Sequence, residues 1–213
     1  MPAKTSKSSV GSAADLIPKQ LTLLSLKTAA TDCRACDLWE KGTQTVFGDG
    51  RRQSKVMFIG EQPGNEEDLT GKPFVGPAGR LIDEALEEAG IDRKQAYVTN
   101  VVKHFKWEPR GKRRIHKKPN SLEIAACHPW LEAEVAVIKP QIIVALGATA
   151  AQTLLGAKFR VTKQRGEFLD STLARYVMAT VHPSSILRAP DDEIRRLEYR
   201  RFVDDLKKLA RVF

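Results

Sequence analysis

The residues best able to do chemistry fall in a few short stretches. Cys33-x-x-Cys36 has the spacing of a metal-ligating pair, and equally that of an incidental structural pair. A third cysteine, Cys127, lies far away and read alone is a buried helical thiol. Three thiolates neither complete a tetrahedral metal site nor hold a four-iron cluster, so a metal reading needs a fourth ligand. Of the histidines, His128 adjoins Cys127 and would face another way on a helix. His116 and His182 suit other work, which leaves His104. Gly60-Glu61-Gln62-Pro63-Gly64, followed by Glu66, Glu67 and Asp68, gathers acids and backbone amides. It lacks the Gly-Lys-Ser/Thr ending of a phosphate loop, and its acids would repel phosphate. Carboxylates there suit a general base or the stabilisation of a cation; the plain alternative is a solvated acidic turn. Phe74, between Pro73 and Val75, is either a core plug or a platform on which a base stacks. The amide of Asn100 can read a pyrimidine's polar edge or simply form a turn. In His182-Pro183-Ser184-Ser185 the proline biases the histidine to extended backbone, which turns its ring off the end of a strand; the plain alternative is a core histidine.

Charge points to the partner. The 213 residues carry 35 Lys and Arg against 26 Asp and Glu, a net charge of +9. Lys103, Lys106, Arg110, Lys112, Arg113, Arg114, Lys117 and Lys118 crowd into residues 103–118 against Glu108 alone. Such a block can follow a polyanion and release its counterions. The interleaved Phe105, Trp107, Ile115 and His116 argue against a purely solvating run. No apolar run approaches the roughly 20 residues of a membrane helix. Residues 1–17 read as a disordered lead; Met1 to Ala14 is rich in Ser, Ala and Lys, without the apolar core of a secretion signal. Three cysteines without an export signal make a disulfide framework a poor reading and a cytoplasmic protein the natural one.

These residues need elements to position them. Leu21 to Ala30 has helical spacing. Apolar runs at 55–59, 96–99, 141–146 and 176–181 read as strands, the first ending at Gly60 and the second at Asn100. Helices are expected from Pro77 to Gly90, over about 121–138 with Pro129 as a possible kink, from Ala148 to Leu155, and over about 191–211. Residues 60–76 and the basic segment read as loops. Alternating strands and helices predict an α/β fold, a parallel sheet covered on both faces. Ligands bind such sheets beyond the carboxyl ends of the strands, where the loops after Gly60, Asn100 and Val181 begin.

Jointly, Gly60-Glu61-Gln62-Pro63-Gly64, the run from Pro73 to Gly79, Thr99-Asn100-Val101-Val102-Lys103 and His182-Pro183-Ser184 resemble the motifs of the family-four uracil-DNA glycosylases, over about residues 30–190. The resemblance implies a three-layer α/β/α sandwich with a central four-stranded parallel sheet, a 4Fe-4S cluster, and uracil-containing DNA as substrate. It places Glu61, Gln62, Pro63, Glu67, Phe74, Asn100 and His182 around the uracil, with Phe74 stacking, Asn100 hydrogen-bonding and His182 stabilising the departing anion. Two departures matter. His104 stands where the family has a cysteine, which by position makes Cys33, Cys36, His104 and Cys127 the cluster ligands. The run from Lys112 to His116, together with Gln62, resembles the branch called UdgX, in which the matching histidine bonds to the sugar of the new abasic site. His116 is then the nucleophile, with Glu61, Gln62 and His182 completing the catalytic set. Lys112, Arg113, Arg114, Lys117, Lys118, Ser184, Ser185 and Arg188 are expected against the DNA, in a monomeric single domain over residues 18–213. The donor types of the ligand set also fit a Cys3His zinc site. A conventional glycosylase, with His116 only binding DNA, is one competing reading. A non-catalytic DNA-binding module is another, and it would need neither the acidic loop nor the histidine-proline loop.

Overall fold

The computed structural model describes residues 11–212. The strands are β1 (Val56–Gly60), β2 (Ala96–Asn100), β3 (Trp107–Arg110), β4 (Arg113–His116), β5 (Ile142–Leu146), β6 (Phe168–Leu169) and β7 (Tyr176–Thr180). The helices are α1 (Leu23–Ala30), α2 (Asn65–Thr70), α3 (Pro77–Glu88), α4 (Ser121–Ile138), α5 (Gly147–Leu155), α6 (Val161–Gln164), α7 (Pro183–Leu187) and α8 (Asp192–Leu209).

The main sheet has the order β2-β1-β5-β7-β6. Its first four strands are parallel, as the apolar runs predict. The two-residue β6 adds a fifth, antiparallel strand at the edge, too short to leave a periodic signal. Side chains alternate across the sheet and so divide the core. Met57, Ile59, Ile143 and Ala179 pack with α1, α4 and α5. Val56, Phe58, Val144 and Met178 pack with α3, α7 and α8. The result is the expected sandwich. The register pairs Gly60 with Asn100 and Leu146 with Thr180, so the carboxyl ends of the four parallel strands share one edge.

The helices follow local chemistry. Asn120 and Glu123 form the expected reciprocal cap of α4, with Glu123 N donating to Asn120 Oδ1 at 2.9 Å and Asn120 N to Glu123 Oε2 at 2.7 Å. The helix runs on through Pro129.

Three stretches depart from expectation. Within residues 60–76, expected to be a loop, Asn65 to Thr70 form α2; three consecutive acids favour its first turn, and the carboxylate of Glu67 reaches back to Gly64 N. The basic segment is not a loop but an antiparallel hairpin, β3 against β4. Gly111 takes the first central position of its two-residue turn with φ +59°, a geometry glycine adopts without strain. At the start of the described chain, Ala13 to Leu16 form a 3-10 turn whose Ala13 is fully buried, so the expected disordered lead does not reach this turn. Residues 1–10 of that lead lie outside the described residues. Among the described residues, no helix is long and apolar enough to cross a membrane.

Candidate active site

The shared strand edge opens into a cavity of about 990 Å³, lined by residues from all three expected loops and from the hairpin. Gly60 ends β1 next to the lining residues Glu61, Phe74 and Asn100. A side chain there would strike Asn100 Oδ1 and the Phe74 ring, so glycine leaves those two side chains in place. Asn100 is buried, and its Oδ1 has no hydrogen-bond partner among the described residues. A buried amide oxygen of that kind is held ready for a ligand's N–H. Phe74 lies in the cavity wall with φ +55°, left-handed backbone that costs a bulky residue about 1–3 kcal/mol and often marks a ligand clamp. Its ring lies within 27° of parallel to that of His182, with centroids 6.3 Å apart.

His182 precedes α7. Its Nδ1 accepts from Ser184 N at 3.2 Å and lies 2.8 Å from Ser184 Oγ. With Nδ1 an acceptor, the proton sits on Nε2, on the cavity side beside Gly60. Burial, with Arg188 and His116 nearby, pushes its pKa down to about 4, so at neutral pH it is an uncharged donor.

Glu61 follows Gly60 directly. Its Oε2 accepts a hydrogen bond from Thr149 Oγ1, and its Oε1 lies 3.5 Å from His116 Nε2. His116 ends β4 with half of its side chain exposed at the cavity mouth. Burial lowers its pKa below the usual 6.5; Glu61 opposes the shift and Arg188 adds to it.

Two residues expected around the base have committed side chains. Gln62 lines the cavity, but its Nε2 donates to the carbonyls of Lys106 and Lys117, each at 3.1 Å, and its Oε1 accepts from Lys106 N at 3.1 Å. It clamps the base of the hairpin that carries His116. Glu67 accepts from Gly64 N at 3.0 Å and Gly76 N at 2.8 Å, tying the loop after β1 to the loop that carries Phe74. Pro63 completes that wall.

The expected DNA contacts divide in the same way. Lys112, Arg113, Lys118, Ser185 and Arg188 are exposed, and Lys118, Ser184 and Arg188 also reach the cavity. Lys117 pairs with Glu108 across the hairpin at 3.1 Å. Arg114 turns inward. Its Nη1 meets Asp68 Oδ2 at 2.6 Å, its Nε donates to Asn65 Oδ1 at 2.7 Å, and its guanidinium lies 5.4 Å from the ring centroids of both Phe105 and Trp107. It is a latch between the hairpin and α2. Asp68, wholly buried, and Thr149 are the site residues that sequence reasoning missed. In the sequence Asp68 is one more acid of the loop after Gly60, with nothing to set it apart from Glu66 or Glu67. Thr149, just past the carboxyl end of β5, had only that position as a signal.

The cysteines gather away from the cavity. Cys33, Cys36 and Cys127 are all buried, and each of the first two lies close enough to Cys127 to raise its thiol pKa. Burial, the larger cause, pushes Cys36 to about 11 and Cys127 to about 12. Trp130 Nε1 donates to Cys33 Sγ and Lys103 N to Cys127 Sγ, each at 3.3 Å. Such N–H···S bonds suit ligating sulfurs. His104 is buried, with Nε2 3.0 Å from Thr45 Oγ1, and burial lowers its pKa to about 4, which leaves it neutral as a ligand must be. Among the described residues, no three Cys, His, Asp or Glu side chains converge as a single-ion site requires. A cluster asks less convergence, because its ligands bind separate irons. Three thiols and a neutral imidazole are donor types a cluster takes, and among the described residues they do not converge into one metal-binding group.

Comparison with known proteins agrees with this architecture. A family model described as the uracil DNA glycosylase superfamily matches residues 47–207. The type-4 uracil-DNA glycosylase of Thermotoga maritima is 42% identical over 177 residues, covering 83% of this chain and 86% of the relative. That of Archaeoglobus fulgidus is 35% identical over 187 residues, covering 84% of this chain and 86% of the relative. That of Sulfurisphaera tokodaii is 36% identical over 181 residues, covering 80% and 78%. With strand order, cavity and sequence in agreement, the chain belongs to the uracil-DNA glycosylase superfamily.

Proposed function

We propose that this protein excises uracil from DNA and then captures the abasic sugar covalently through His116. One observation carries the second half of that reading: His116 Nε2 lies 3.5 Å from Glu61 Oε1 at the mouth of the cavity that holds Phe74, Asn100 and His182.

The uracil nucleotide flips into the cavity. Phe74 stacks on the base and Asn100 reads its polar edge. The C1′–N1 bond breaks with its electron pair passing to uracil N1. The Nε2 proton of His182 hydrogen-bonds the resulting anion, a preformed donor aimed at developing charge. The Glu61 carboxylate faces the cationic sugar. His116 Nε2 attacks C1′ with its lone pair, and the proton on Nδ1 leaves to solvent, so the product is a neutral alkylated imidazole. The low pKa of His116 keeps that lone pair free at neutral pH. Gln62 and Arg114 hold the hairpin that presents it. Lys112, Arg113, Lys118 and Arg188, with Ser184 and Ser185, meet the phosphates, and the protein acts as a monomer.

Cys33, Cys36, His104 and Cys127 hold a four-iron, four-sulfur cluster in this reading. When bound it is structural, fixing the segment that runs from Lys103 into the hairpin. Incubation with uracil-containing DNA followed by a denaturing gel tests the whole. A shifted, denaturation-resistant band is expected. Free abasic DNA accumulating over many turnovers would favour a conventional glycosylase, and intact uracil DNA would refute both.

A further inference from the structure

The covalent step needs the Glu61 carboxylate fixed, with one oxygen toward His116. Glu61 begins a loop and retains partial exposure, so its own backbone does not select that rotamer. Thr149 supplies the constraint. It is the third residue of α5, just past the carboxyl end of the central strand β5, and it is buried. Its Oγ1 donates to Glu61 Oε2. A threonine deep in a helix usually turns its hydroxyl back to the preceding turn's carbonyl, as Thr153 does to Thr149 O at 2.8 Å. In the first turn no preceding helical carbonyl exists, so the Thr149 hydroxyl is free to face the loop after β1. Its mount is rigid. Gly147, with φ +87°, brings the same turn against His182, and a Cβ on that glycine would lie 2.9 Å from His182 Cβ.

We infer that Thr149 is a positioning residue: by holding Glu61 Oε2 it directs Oε1 to His116 and so sets the rate of covalent capture. The inference rests on the reading above. It requires of Thr149 no contact with DNA, sugar or base.

The test is single-turnover adduct formation on uracil-containing DNA, with thermal melting and DNA affinity measured alongside. Thr149→Val keeps the shape and removes the hydroxyl. It should slow adduct formation by about 10- to 100-fold, the scale expected when a reacting group is misplaced by an ångström or less. Melting and DNA affinity should stay at wild-type values, and Thr149→Ser should restore most of the rate. In a Glu61→Ala background, Thr149→Val should have no further effect. A wild-type rate in Thr149→Val, no rescue by serine, or an undiminished effect in the Glu61→Ala background would each overturn the inference. If the valine variant does not fold, the comparison of Thr149→Ser with Thr149→Ala decides on the same criteria. Absence of any adduct in the wild type refutes the capture reading itself, and with it this inference. An adduct in the wild type that is insensitive to Thr149 refutes the inference alone.

Discussion

Replacing Arg114 with alanine separates two roles that the sequence left merged. A phosphate-binding arginine and a hairpin latch look alike in a run of basic residues. The structure gives Arg114 a 2.6 Å bond to Asp68, a 2.7 Å bond to Asn65 and two aromatic faces at 5.4 Å. The Asp68 side chain is wholly buried and that of Arg114 is 19% exposed. Breaking a buried pair by removing one partner costs about 3–5 kcal/mol. Partial exposure of the arginine, and the hydrogen bonds Asp68 keeps from Thr43 N and Thr43 Oγ1, place this case near the lower end, about 3 kcal/mol. The loss falls on the hairpin rather than on the main sheet. At about 1.4 kcal/mol per factor of ten, it lowers the ratio of docked to undocked hairpin by about 100-fold. Single-turnover adduct formation on Arg114→Ala should fall by up to that order, while uracil release falls less, since Phe74, Asn100 and His182 stand on other elements. The salt dependence of DNA binding should be unchanged, whereas a lost phosphate contact would reduce its slope by about one. A variant that captures DNA at the wild-type rate but shows a reduced salt slope would refute the latch.

Three further outcomes follow from the same structure. Capture needs neutral His116, whose pKa burial lowers from 6.5, so the capture rate should fall as the ring protonates, with its midpoint below pH 6.5; a midpoint above 6.5 in the pH–rate profile would contradict the assignment. Lys103 Nζ is wholly buried against Glu134 Oε2 at 2.6 Å, and Glu134 also accepts from Tyr97 Oη at 2.8 Å. Glu134→Ala should therefore lose about 3–5 kcal/mol in urea denaturation, and a loss under 1 kcal/mol would show that water reaches the pair. His104→Ala should lose iron or stability and His104→Cys should keep both, as iron content and melting temperature would report; full iron and wild-type stability in the alanine variant would remove His104 from the ligand set.

The main sheet was legible because buried parallel strands are continuous apolar runs, and Val56–Gly60 and Ile142–Leu146 are such runs. The cavity was legible because Glu61, Asn100 and His182 sit at or just past strand ends, where open sheets bind ligands. The hairpin was not legible. Its strands pair Arg110 with Arg113, like charges that local pattern counts against a strand pair. Gln62, Arg114 and Asp68 hold it, and those contacts span 44 to 55 positions in the chain. Residue type alone could not tell Arg114 from Arg113 either; the difference is which face of β4 each occupies. Thr149 stayed hidden because its partner lies 88 positions away, across a neighbouring strand.

The central claim is the bond between His116 and the DNA, and mass spectrometry of the cross-linked peptide measures it most directly. After nuclease and protease digestion, the deoxyribose mass should map to the imidazole of His116, without prior borohydride reduction. His116→Ala should give no such peptide while still releasing some uracil, with water in place of the imidazole. An adduct on Lys112, Lys117 or Lys118 that survives only after borohydride reduction would instead indicate Schiff-base chemistry at the abasic aldehyde, and would contradict the account.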